Sequence, residues 1–307
     1  MVTFKALPGA FGVEITDIDL AKAGDDEMRD LMRIFHRHQL IVIRHQELSF
    51  DQYDAMTKKF GRQRPHFLDH LRMRGHPAIL MLSNVFEDGR QIGVFEGACF
   101  WHTDVAYEDP PHASTVVYSI KKPEGGCPTH FCDLFSAYDA LPEKTKRMID
   151  GLQAIHHYGN RADTNEGSPT AAETLTEDQK RRVANVTHPV VKRHPVTGRK
   201  SLYGVCGSSF GIVGMPDDEA IALLDELAAH ALQDRFITSY DYEVGDVAAW
   251  DTYSTLHKAT LTQRAAADDP HARILWRVSV TGESPLLAPE ETYQGKELVR
   301  SAPPPRP

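Results

Sequence analysis

The chain has 307 residues, 41% of them hydrophobic and 25% charged, ordinary values for a globular protein with one large core or two modest ones. Its 34 Lys and Arg against 43 Asp and Glu leave a formal net charge of −9, which argues against a general nucleic-acid or anionic-membrane surface. With no apolar run long enough for a membrane span, no secretory-signal pattern and four cysteines (Cys99, Cys127, Cys132, Cys206) without a Cys-x-x-Cys pair, a cytoplasmic protein with reduced thiols is expected.

Residues 12–16 read as extended, 26–38 as an amphipathic helix and 40–43 as a short buried strand. A helix over 50–60 opens on a capping box, with Ser49 at the cap and Gln52 three residues on. From residue 78 onward strand signals dominate, at 78–82, 114–120, 129–132, 190–192, 201–203, 236–242, 247–250 and 273–280. The turns at 194–199 and 243–246 read as hairpin connections. Helical segments interrupt the strands at 134–151 and at 216–232, the second opening on Pro216 and a cluster of acids. Residues 159–176 form a polar stretch of the length that often serves as a lid, and the Pro-rich tail 301–307 reads as disordered. No internal repeat occurs. One domain over 1–300, with insertions at about 134–185 and 216–232, fits a β-sandwich or open barrel carrying helices outside.

The chemistry concentrates in two stretches, Phe100-Trp101-His102-Thr103-Asp104 and the run from Trp250-Asp251 to His257. Two imidazoles and one carboxylate are the ligand set of the facial triad that holds non-haem Fe(II) with open positions. The triplet alone is uninformative: 16 His and 43 acidic residues predict roughly two His-x-acid triplets by chance, and two occur, at His45 and at His102. Context separates them. His45 follows an apolar run and precedes a helix cap, the setting of a surface residue. His102 and Asp104 lie in an extended stretch, where residues i and i+2 share a face and can aim at one metal. Downstream, Arg273 and Arg277 sit on a strand-like run, two cations beside which an acidic substrate or cosubstrate fits.

Several ordered motifs then carry a resemblance over nearly the whole chain. They are Phe60-Gly61, Trp101-His102-Thr103-Asp104, Gly125-Gly126-Cys127-Pro128-Thr129, Ala137-Tyr138-Asp139-Ala140-Leu141-Pro142, His194-Pro195-Val196-Thr197-Gly198, Gly245-Asp246, Trp250-Asp251, His257, Arg273 and Arg277. The chain resembles the taurine and chlorophenoxyacetate dioxygenases, Fe(II)- and 2-oxoglutarate-dependent enzymes on a double-stranded β-helix (jelly-roll, cupin-like) core flanked by helices. The resemblance implies His102, Asp104 and His257 as iron ligands, Thr129 and Arg273 as the grip on 2-oxoglutarate, and O2 as cosubstrate. It further implies that Arg277, Trp101 and His66 face the substrate, a small organic acid (sulfonate, carboxylate or aryloxyalkanoate), in a homodimer or homotetramer.

Two departures from the family pattern stand out. The stretch from His257 to Arg273 is long, its excess falling at 262–270 where a surface loop can absorb it, and Thr252 stands where Asn is usual behind His257. Arg264, in that stretch, is the rival carboxylate binder. The implied reaction couples decarboxylation of 2-oxoglutarate, to succinate and carbon dioxide, with hydroxylation of an aliphatic C–H bond. Desaturation or isonitrile formation on an amino-acid-like substrate would use the same site. Halogenation would need the Asp104 position vacant, and a non-catalytic β-sandwich would prefer four closed metal ligands.

Overall fold

The computed structural model describes residues 2–66, 72–95, 99–159, 161, 164, 185–287, 291–294 and 297–300. The polar stretch expected at 159–176 lies outside the described residues except for 159, 161 and 164, and the tail 301–307 lies wholly outside them.

Helix α1 (Asp25–His38) carries Asp25, Asp26 and Glu27 in its first turn and His36, Arg37 and His38 in its last, matching the helix dipole at both ends. Its buried face is Met28, Leu31, Met32 and Phe35, the spacing of one helical stripe. Helix α2 (Phe50–Thr57) has the expected capping box: Ser49 Oγ accepts from Gln52 N–H at 3.2 Å, and Gln52 Oε1 accepts from Ser49 N–H at 2.9 Å. The helix ends at Thr57, short of the expected residue 60, and the chain turns through Lys58–Phe60 instead.

Eight strands build the centre: β1 (Leu40–Ile43), β2 (His76–Ser83), β3 (Ser114–Lys121), β4 (Thr129–Asp133), β5 (Ile237–Tyr240), β6 (Val247–Asp251), β7 (Thr255–Ala259) and β8 (Ile274–Thr281). A nine-stranded sheet runs Lys5–Ala6, Val13–Ile15, β1, β6, β3, β8, β2, Arg72–Met73, with Arg62–Arg64 also pairing β8. A three-stranded sheet, β5-β4-β7, packs against it. Strand parity divides the large sheet into two faces. Val116 and Tyr118 of β3 and Trp276, Val278 and Val280 of β8 join the core under α1 and α2. Val117 and Leu275, on the opposite face, join Phe131, Tyr240 and Tyr242 of the small-sheet side in a core between the sheets. This is the jelly-roll, mainly β with flanking helices, that the motifs implied.

Helices α3 (Leu134–Asp139), α4 (Glu143–Ile149) and α5 (Asp217–Ala231) close a third core over the sheet Val186–Pro189, Gln153–His156, Ser209–Ile212. The turn at 194–199 joins the antiparallel pair Val191–Arg193 and Lys200–Leu202, as expected. The turn at 243–246 is not a hairpin: β5 pairs β4, whereas β6 pairs β1 and β3, so the turn carries the chain from one sheet to the other. Asp246 makes that crossing possible, its Oδ2 accepting from Glu243 N–H at 2.8 Å and Tyr240 Oη–H at 2.7 Å. Strand β7 and the strands Gln153–His156, Val186–Pro189 and Ser209–Ile212 were not expected from the sequence. No helix among the described residues is long and apolar enough to cross a membrane, and the four cysteines are buried free thiols.

Candidate active site

His102 lies outside any strand yet forms an isolated antiparallel bridge to His257 on β7, with His102 N–H to His257 O at 3.0 Å and the reverse bond at 2.9 Å. The pairing sets the two rings side by side, centroids 4.1 Å apart. His102 Nδ1 is 2.8 Å from Phe100 O, a carbonyl that can only accept, so Nδ1 carries the proton and Nε2 keeps a free lone pair. That Nε2 is 3.7 Å from Asp104 Oδ1, and His257 Nε2 is 3.7 Å from Asp104 Oδ2. The three donor atoms all lie within 4.8 Å of one another. Two metal–ligand bonds of about 2.1 Å span at most about 4.2 Å, so donors 3.7 Å apart can share one ion. The set fits a divalent metal held on one side only.

Two side chains hold Asp104 in place: Thr115 Oγ1 donates to its Oδ2 at 2.6 Å, and Arg277 Nη2 donates to its Oδ1 at 2.7 Å. Burial pushes this carboxyl up, but the Arg277 guanidinium and the neighbouring imidazoles hold it well below the usual carboxylate range, and it stays ionised. Burial and the His102 ring beside it bring His257 down to about 3, so it is neutral as a ligand requires. Val105, next in the chain, is a β-branched residue at φ 55°, a conformation that costs on the order of 1–3 kcal/mol. It bends the chain immediately after the carboxylate. Behind His257, Thr252 Oγ1 donates to His112 O rather than to the imidazole, and His257 Nδ1 has no hydrogen-bond partner among the described residues.

Arg273 immediately precedes β8 and is half-buried. Its N–H donates to Asn84 Oδ1 at 2.7 Å, while Asn84 Nδ2 donates to Gln263 O at 2.8 Å and His271 O at 2.9 Å. The long 262–270 stretch is therefore stitched to the end of β2 rather than lying loose, with Ala265 and Ala272 buried against Val85. Arg264 is exposed and stacks on Phe86 at 4.6 Å, away from any carboxylate role in this cleft. Arg273 lines a small cleft with Ser119, Cys127, Asp241, Tyr242 and Leu275. Thr129, buried at the start of β4, hydrogen-bonds the Tyr242 phenol, which burial pushes up to about 12. Tyr242 can donate to Thr129 and leave the threonine proton free for an anion.

His66 falls in the site: burial and the Arg277 charge bring it down to about 3, and Glu108, His112 and Asp104 also act on it. Trp101 is half-buried and turns its ring toward His130, centroids 6.4 Å apart, against the helical core. Sequence reasoning missed His112, buried and held neutral by its burial, with Glu108 Oε2 3.6 Å from its Nε2 and Arg64 3.1 Å from the same carboxylate. It also missed Thr115 and the edge-on rings of Tyr107 and Tyr158, 4.8 Å apart. Strand parity could have found Thr115, which is on the inward row of β3.

A second His/Asp group, His36, His194 and Asp251, also brings three potential ligand atoms together. His194 Nδ1 accepts from Val196 N–H at 3.1 Å and Thr197 N–H at 3.0 Å, so the proton is on Nε2, which donates to Asp251 Oδ2 at 2.7 Å. Asp251 Oδ1 accepts from Tyr253 N–H and Ser254 Oγ–H, both at 2.9 Å. Both His194 nitrogens are spent on the protein. The group is a structural brace at the β6–β7 turn, and that turn leads into His257.

The family model described as taurine catabolism dioxygenase TauD, TfdA family matches residues 3–279. The chain is 30% identical over 270 residues to the alpha-ketoglutarate-dependent 2,4-dichlorophenoxyacetate dioxygenase of Cupriavidus pinatubonensis, covering 81% of this chain and 88% of that protein. It is 29% identical over 289 residues to the (S)-phenoxypropionate/alpha-ketoglutarate-dioxygenase of Sphingobium herbicidovorans, covering 90% and 94%. The crystal structure of a taurine dioxygenase from Burkholderia xenovorans superposes with a TM-score of 0.73 at 26% identity, covering 92% of this chain and 90% of that one.

Proposed function

The chain belongs to the taurine catabolism dioxygenase TauD, TfdA family, and from that premise we propose how its residues divide the work. It is an oxidoreductase, a dioxygenase that uses Fe(II), 2-oxoglutarate and O2. In our reading His102, Asp104 and His257 hold the iron, and Arg273 with Thr129 grips the far carboxylate of 2-oxoglutarate. Arg277, with His66, receives the head group of a small organic acid, a sulfonate or an aryloxyalkanoate; the expected part of Trp101 is not carried over, because its ring packs toward His130 and the helical core. The observation that carries this reading is the convergence of the three donor atoms within 4.8 Å.

When bound, the iron and 2-oxoglutarate supply the oxidation that ends in succinate, carbon dioxide and a hydroxylated substrate. The chain's residues supply geometry and charge. Arg277 is 8% exposed and its guanidinium is paired with the Asp104 carboxylate. A divalent ion beside that single pair would leave the buried site net positive, which an anionic substrate would neutralise. His66, His112 and His257 stay neutral through burial and do not add to that charge. The guanidinium of Arg277 can bridge the metal-binding carboxylate and the substrate anion, fixing the distance between the ion and the C–H bond to be attacked.

The test is succinate release with Fe(II), 2-oxoglutarate and, in turn, taurine, 2,4-dichlorophenoxyacetate and (S)-phenoxypropionate. Iron-dependent succinate stimulated by at least one acid is the expected result. A folded, iron-loaded protein that releases none, and shows no visible charge-transfer band when 2-oxoglutarate is added anaerobically, overturns the reading.

A further inference from the structure

The cleft at Arg273 contains a buried hydroxyl with nothing to bond. Ser119 is 1% exposed and its Oγ has no hydrogen-bond partner among the described residues. Buried side-chain polar atoms nearly always have one, and each exception calls for a cause. The backbone around this hydroxyl is fully committed: Ser119 N–H donates to Asp246 O and Ser119 O accepts from Gly245 N–H, both at 2.9 Å. The β3 strand is thus pinned at the residue, and the side chain cannot escape by a shift of the main chain.

Register places that side chain with Arg273. Ser119 pairs with Leu275 across β3 and β8, and both line the cleft that Arg273 and Tyr242 also line. By parity Ser119 shares the inward row of β3 with Val117 and Thr115, while Tyr118 packs under the helices. Thr115 donates to Asp104. One strand face therefore runs from the metal-binding carboxylate to the Arg273 cleft.

The other polar groups of the cleft are already engaged. Lys121 Nζ donates to Ala267 O at 2.6 Å and Lys122 Nζ to Glu243 Oε1 at 2.5 Å. Asp241 Oδ1 accepts from Cys127 N–H at 2.8 Å, and the Cys127 thiol contacts Thr260 O at 3.7 Å. Ser119 is left as a neutral donor of fixed position. A carboxylate offers about four lone-pair directions; a guanidinium fork fills two and a threonine hydroxyl one, leaving one open.

We propose that the Ser119 hydroxyl fills that place, donating to the far carboxylate of 2-oxoglutarate as a third binding group with Arg273 and Thr129. The proposal rests on the reading that Arg273 holds 2-oxoglutarate. The ligand it selects is a 2-oxo acid with a second carboxylate at the far end of the chain.

Calorimetric titration of the Mn(II)-loaded protein, which does not turn over, tests it with two probes. One is 2-oxoglutarate; the other is pyruvate, which lacks the far carboxylate. Ser119→Ala should weaken 2-oxoglutarate by about tenfold, the scale of one hydrogen bond to a charged group, and leave pyruvate unchanged. Ser119→Thr, which restores the hydroxyl, should recover most of the loss. Equal weakening of both probes, or of neither, overturns the proposal. The underlying reading fails separately, if the unaltered protein does not bind 2-oxoglutarate or if Arg273→Ala binds it as well as the parent.

Discussion

His102 and His257 exchange both backbone hydrogen bonds, at 3.0 and 2.9 Å, and so hold their imidazoles 4.1 Å apart without any side-chain contact being needed to align them. Asp104 completes the set two residues later, aimed by Thr115 and Arg277 rather than by its own backbone. The scaffold of the site is thus independent of the groups that would hold the ion.

Replacing His102 by Ala should therefore remove iron and leave the fold. The bridge to His257 uses main chain only, so circular dichroism and the thermal midpoint of the metal-free protein should barely change. Iron content by elemental analysis should fall from about one per chain toward zero, and succinate release with it. Retention of stoichiometric iron would contradict the ligand assignment.

Arg277→Gln should act in two places. It strips Asp104 of its buried cation, and breaking a buried pair costs about 3–5 kcal/mol, so the metal-free protein should melt at clearly lower temperature. Bound Fe(II) should recover part of the loss by supplying the missing positive charge. Substrate-stimulated succinate release should drop at least tenfold while the 2-oxoglutarate requirement stays near that of the parent. A selective rise in the 2-oxoglutarate requirement would reverse the roles given to Arg273 and Arg277.

Asn84→Ala removes the side chain that fastens Arg273 N–H, Gln263 O and His271 O together. Losing the bonds at one buried residue costs about 1–3 kcal/mol, and the effect should appear at the grip it steadies. The KM for 2-oxoglutarate should rise severalfold and the KM for the acid substrate should hardly move. An unchanged 2-oxoglutarate KM would show that the loop does not position Arg273.

Asp251→Ala should be the most damaging change outside the triad. It leaves His194 Nε2, Tyr253 N–H and Ser254 Oγ without their acceptor, a loss of about 3 kcal/mol or more. Urea unfolding should show it, and iron affinity should weaken because the same turn delivers His257. At saturating iron the stoichiometry should remain about one per chain. A second iron bound by the parent and lost in the variant would instead make His36, His194 and Asp251 a metal site.

Stability should fall as the solution is acidified below pH 6.5. His36 and His156 are brought to about 3, first by burial and then by neighbouring imidazoles, from an ordinary value of 6.5. Between those values the unfolded chain takes up protons that the native protein refuses, so stability is fully present above pH 6.5 and is lost as pH falls toward 3. Each such histidine contributes a slope of up to about 1.4 kcal/mol per pH unit. Urea midpoints of the metal-free protein at pH 7.5, 6 and 5 should decline in that order; a flat series would mean these imidazoles are charged in the native state.

Much of this was readable along the chain because it is local. The α1 stripe, the Ser49–Gln52 cap and the β-branched runs of β3 and β8 follow from spacing and propensity, whereas Asp104 stands in a turn after the His102 bridge and not in the extended stretch expected there. The arginines were legible as two cations four residues apart on a strand-like run, although Arg273 stands one residue before β8, ahead of the register shift at Ile274 and Leu275. Strand β7 was not legible, since Thr255-Leu256-His257-Lys258-Ala259 is short and mixes polar with apolar residues on both rows. It is a strand because β4 pairs along its whole length. The turn at 243–246 misled for a related reason, its Gly-Asp signature being the same whether the chain folds back or crosses to another sheet.

Residue order by itself determined the candidate ligand types, two imidazoles and a carboxylate, their sequence, and the two cations downstream of them. Only the tertiary structure decided that His102 pairs with His257, that Arg277 already holds Asp104, that Asn84 fastens Arg273 and Tyr242 meets Thr129, and that His36, His194 and Asp251 form a brace. Each of these is a contact between residues distant in the chain, and each depends on which strands become neighbours. Neighbourhood is set by the summed burial of two sheet faces and not by any local preference, so no window of sequence contains it.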